Sequence, residues 1–86
     1  MQTTPTQTKL LQRICGFGYS VTVFNENFIE FLNPKEDINI VINLQFKNIG
    51  VYRNVKLKDG TWKEFPCSLE FKLFNILSEF LLTLEE

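Results

Sequence analysis

Apolar and polar residues recur with two different periods along the 86-residue chain. Leu10, Leu11, Ile14 and Phe17 fall at spacings that gather on one side of a helix, while Lys9, Gln12 and Arg13 lie outside that stripe. Upstream, Thr4-Pro5-Thr6-Gln7 has the form of a capping box: Thr4 as N-cap, Pro5 at the first helical position, Gln7 reaching back to the cap. Gly16 stands where a left-handed C-terminal cap favours a residue without a side chain. The spacing thus predicts a helix over about residues 5–15.

From Tyr19 the period becomes two. Tyr19, Val21 and Val23 face one side and Ser20, Thr22 and Phe24 the other, which predicts a strand. Asn25-Glu26-Asn27 is a tight connection to a second strand, Phe28 to Leu32, and Asn33 to Asp37 with Pro34 makes the next turn. Ile38, Ile40, Ile42, Leu44 and Phe46 then alternate with Asn39, Val41, Asn43 and Gln45, so a third strand carries five large apolar side chains on one face. Lys47 to Gly50 closes it, and a fourth strand runs from Val51 to Lys58. Asp59-Gly60 signals a two-residue type I′ hairpin that sets Leu57 against Trp62 and Lys56 against Lys63. A three-residue loop would instead put Lys56 beside Trp62.

Pro66 ends the fifth strand. Ser68 is the best N-cap for a last helix, with Glu70 in its first turn. At 100° per residue, Leu69, Leu73, Ile76, Leu77, Phe80 and Leu84 share one arc that Phe74 and Leu81 extend. Phe71 and Leu82 fall outside it, as residues of a second contact surface. No repeat or linker divides residues 1–86. The expected fold is a single small α+β domain: a helix, an antiparallel β-meander of about five strands, and a C-terminal helix, with both helices on one face of the sheet.

Composition narrows the chemistry. Nine Phe, two Tyr and one Trp are present and alanine is absent, so a few large side chains can fill a small interior. A net charge of −1 gives no global attraction to nucleic acid or an anionic membrane. No stretch approaches the roughly 18 apolar residues of a membrane span, and no secretory signal is visible at the N-terminus, which makes the cytoplasm the expected location. Cys15 and Cys67 read as buried free thiols. Without any histidine, histidine-dependent triads and metal sites are excluded, and no nucleophile pairs with a base. Glu36-Asp37 and Glu85-Glu86 read as solvated carboxylates. No enzyme activity, cofactor or metal is therefore expected.

Two stretches raise nucleic-acid binding. Gly16, Phe17, Gly18 and Tyr19 match the centre of the RNP1 signature of RRM domains. Cys15, Ser20 and Thr22 stand where that signature carries a basic, an aliphatic and an aromatic residue, and one helix precedes it in place of strand, helix and strand. The chain is not assigned to that family. Further along, Tyr52, Arg53, Lys56, Lys58, Trp62 and Lys63, with Lys47 nearby, mix basic and aromatic side chains as a single-strand binder does. A solvated hairpin whose lysines discourage edge pairing has the same composition. The leading expectation is a non-enzymatic protein-interaction or regulatory module with a protein partner or a second copy, through Phe71 and Leu82 or a sheet edge. Nucleic-acid binding by the hairpin ranks second.

Overall fold

A computed structural model describes residues 4–84, so Glu85 and Glu86 lie outside the described residues. The elements follow in the order α1 (Pro5–Cys15), β1 (Ser20–Phe24), β2 (Phe28–Asn33), β3 (Ile38–Asn43), β4 (Asn48–Lys56), β5 (Trp62–Pro66) and α2 (Phe71–Thr83). The strands form one antiparallel sheet in sequence order. Both helices cover the same face. Leu10 and Ile14 of α1, Leu73, Ile76, Leu77 and Phe80 of α2, and Ile29, Phe31, Ile38, Ile40 and Ile42 of the sheet form one buried cluster. On β3 the alternation is direct, with Ile38, Ile40 and Ile42 buried and Asn39, Val41 and Asn43 half-buried on the bare face.

α1 begins with the expected reciprocal cap. Thr4 Oγ1 accepts the Gln7 N–H and Gln7 Oε1 accepts the Thr4 N–H, both at 3.1 Å. It ends at Cys15 as expected, but the cap differs. Gly16 is right-handed, at φ −62°, and the turn continues through Phe17 N–H to Ile14 C=O and Gly18 N–H to Cys15 C=O. Gly18, at φ +93°, is the left-handed residue that redirects the chain. Tyr19 then enters the core at 5% exposure, which removes it from any open, base-stacking face.

β1 carries a bulge between Val21 and Val23. An extra residue shifts the alternation by one, so Phe24 joins Tyr19 and Val21 on the helix side while Val23 moves to the bare face. That reverses the expected sides of Val23 and Phe24.

The four turns share a device. Asn25, Asn33 and Asn43 each accept two backbone N–H groups on Oδ1, and Asp59 Oδ1 accepts the Thr61 N–H. Such side chains substitute for the ladder partner the backbone loses on turning. Asn43 therefore stops β3, where alternation alone extended it to Phe46. Leu44 still packs on the core, but Phe46 is 71% exposed. Asn48, Ile49 and Gly50 consequently open β4 instead of closing β3, and β4 ends at Lys56, two residues before the expected Lys58. Asp37 and Lys47, each the last residue of its turn, both sit at φ 55°.

The last hairpin takes the three-residue loop. Lys56 pairs with Trp62 and Val55 with Lys63, and only Gly60, at φ +89°, has positive φ. A type I′ turn would need Asp59 there too. α2 begins at Phe71, with Glu70 as an N-cap that makes no side-chain hydrogen bond, not at Ser68. The segment between is held to the sheet, with Cys67 N–H donating to Val51 C=O and Leu69 packed on the core, so it cannot also wind into helix. Both cysteines are free, and Cys15 is exposed where a buried thiol was expected, because it lies outside the Leu10–Ile14 stripe.

Candidate functional site

Polar groups converge most closely at the end of the sheet beneath α2. Tyr19, Asn33, Glu36, Arg53, Ser68 and Glu70 line a cleft of about 210 Å³. Burial raises the Tyr19 phenol above its ordinary value, Glu36 adds to the rise, and a hydrogen bond with Asn33 opposes it. The folded state therefore favours the neutral phenol. The stability gained is full below the unfolded tyrosine value near 10 and is lost as pH climbs through the raised folded value. Alkaline unfolding, followed by circular dichroism, is expected to set in at higher pH for Tyr19→Phe than for the wild type. Coincident curves would show that Tyr19 ionisation does not limit the fold. Among the described residues no three of Cys, Asp and Glu converge as metal ligands, and no helix is long and apolar enough to cross a membrane.

The basic hairpin does not bring its six sequence-selected residues onto one face. Residues directly opposite share a face, and residues two apart along a strand do too. The pairs Tyr52–Pro66, Asn54–Glu64 and Lys56–Trp62 put Tyr52, Lys56 and Trp62 on the bare face together with Glu64. Arg53–Phe65 and Val55–Lys63 put Arg53 and Lys63 on the other. There the Lys63 ammonium lies 5.4 Å from the centre of the Phe65 ring, a cation–π contact within the hairpin. Lys58 sits in the loop. Trp62 is 61% exposed, whereas Tyr52 is half-buried beside Gly50.

The outer side of α2 is the more coherent surface. Phe71 is 75% exposed and Leu82 65%. Phe74, assigned by its angle to the packing arc, is instead 59% exposed. It follows Phe71 by three residues and so shares its side of the helix, a spacing that already held the signal. Asn75 and Ser78 lie between them. The charged residues of α2 are elsewhere: Glu79 pairs with Arg13 of α1 at 3.2 Å, and Lys72 lines the same inter-helix hollow. That ion pair is exposed on both sides and worth at most about 1 kcal/mol, so it orients the helices more than it holds them.

No protein family model, no curated protein and no solved structure matches this chain.

Proposed function

We propose that this chain is a non-enzymatic protein-interaction module that self-associates through the outer face of α2. The supporting observation is the uncovered apolar stripe of Phe71, Phe74 and Leu82. Leaving such side chains in water forgoes the free energy their burial would supply, roughly 1.5–3 kcal/mol for each fully buried one. A two-fold interface presents the same patch to itself, and this patch has no charge to repel its own copy. From Phe71 to Leu82 the stripe is about 16 Å long at the helical rise, enough for two helices to pack along three turns. Nucleic-acid contact by the hairpin is the weaker reading, because its cations are divided between two faces and Glu64 stands among the aromatics.

Size-exclusion chromatography with light scattering tests the proposal. The wild type is expected to dimerise in the micromolar range. Phe71→Asp and Leu82→Asp should each weaken the dimer at least tenfold while leaving the circular dichroism spectrum unchanged, since both side chains lie outside the core. A wild type that stays monomeric at about 100 μM, where a Kd beyond that range has little weight, would overturn self-association and leave only a different protein as partner.

A further inference from the structure

β4 and its two neighbours are out of step. β3 pairs with Asn48 through Arg53, but β5 pairs only with Tyr52 through Lys56. Beyond that, Cys67 N–H caps Val51 C=O at 3.1 Å and the chain leaves the sheet for α2. Among the described residues, none pairs with the outer edge of Asn48, Ile49 and Gly50. Backbone groups of alternate residues point to opposite edges, so Ile49, like Val51, turns its N–H and C=O outward. The other edges are blunted, β1 by its bulge and the short β5 by Lys63 and Glu64. This one is not. Beside it lies a groove of about 750 Å³ walled by Ile49, Val51, Leu69, Phe74, Leu77 and Leu81, and among the described residues Lys47 is the only charged one that lines it.

These features select an occupant. Ile49 offers both a donor and an acceptor, so the ligand must supply both, as a peptide backbone does and a fatty acid does not. The walls are mainly apolar, with Asn48, Ser68 and Ser78 among them, so an apolar side chain fits best opposite Ile49. Antiparallel addition, the more stable pairing, continues the row of β5 past Cys67 and runs toward Lys47. The carboxyl end of the added segment therefore arrives at the ammonium. We propose that the β4 edge and the groove under α2 bind the extended, apolar C-terminal segment of a partner protein, with its free carboxylate at Lys47. This site adjoins the outer face of α2: Phe74 belongs to both, whereas neither Phe71 nor Leu82 lines the groove.

The test is titration of the ¹⁵N-labelled full chain with synthetic hexapeptides that end in a free carboxylate and carry Val, Ile or Leu at the last and third-last positions. The best member is expected to shift the Ile49 amide and its neighbours. Amidating its C-terminus should weaken binding about tenfold, as should Lys47→Gly. The two changes together should cost no more than either alone, because they remove the same contact. Lys47→Gly is suited to this comparison: at φ 55° glycine is unstrained, so loss of binding will not reflect loss of fold. Three results would each overturn the proposal: no Ile49 shift with any member at about 1 mM, binding indifferent to amidation, or the same shifts appearing in Leu82→Asp, whose α2 dimer is weakened, with rising protein concentration and no peptide, which would make a second copy the occupant.

Discussion

Phe31→Ala is expected to destabilise the domain by about 3–5 kcal/mol, the usual cost of removing a fully buried phenyl ring. Phe31 is 0% exposed at the middle of β2, opposite Ile40 of β3 and Val21 of β1, on the side both helices cover. The ring cannot be replaced by a neighbour, because the sheet fixes the backbone on either side and the helices close the top. A chain of this size has roughly 4–13 kcal/mol to lose, so the variant should sit near its unfolding threshold at physiological temperature. Phe28→Ala supplies the control. Phe28 lies on the same strand but on the bare face, half-buried, and its loss should cost about 1–2 kcal/mol from apolar area alone. Urea unfolding followed by circular dichroism makes the comparison; Trp62, on the exposed hairpin, is a poor fluorescent reporter of the core. Equal losses for the two variants would mean that the helices do not seal the face on which Phe31 lies.

The second large effect separates two glycines two positions apart. Gly18→Ala should cost about 1–2 kcal/mol, since φ +93° is a conformation that L side chains rarely adopt. Gly16→Ala should instead stabilise by up to about 1 kcal/mol. Gly16 is right-handed, and an added Cβ would meet only the Arg13 and Gln12 carbonyls at 3.4 and 3.5 Å, ordinary contact distances. Melting temperatures of the two variants should therefore move in opposite directions. A loss at Gly16 equal to that at Gly18 would place the left-handed cap at Gly16 after all.

The order of elements was legible because each carries a strong local pattern: the Thr4 capping box, the alternation in Ile38–Ile42, the apolar arc of α2. The misplacements share a cause. Alternation continues through Leu44 and Phe46, and only the Asn43 side chain, binding the amides of Gln45 and Phe46, shows that the strand has already ended. The bulge in β1 and the offset of β4 depend on which residues face each other across strands, and no window on a single strand contains that. Part of the proposed interaction surface was readable, since Phe71 and Leu82 stand off the packing arc. The groove was not, because it exists only where β5 departs early and α2 returns over the gap.

The meander has a consequence for the chain during synthesis. Every strand pairs with its immediate predecessor, so the sheet can zip together hairpin by hairpin as it leaves the ribosome, with little loop-closure entropy to overcome. Its lid arrives late. Leu73, Ile76, Leu77 and Phe80 belong to the last described element, and until α2 has emerged Ile29, Phe31, Ile40 and Ile42 lie under α1 alone. The nascent sheet thus passes through an interval with a partly open oily face, when it is most prone to chaperone capture or aggregation.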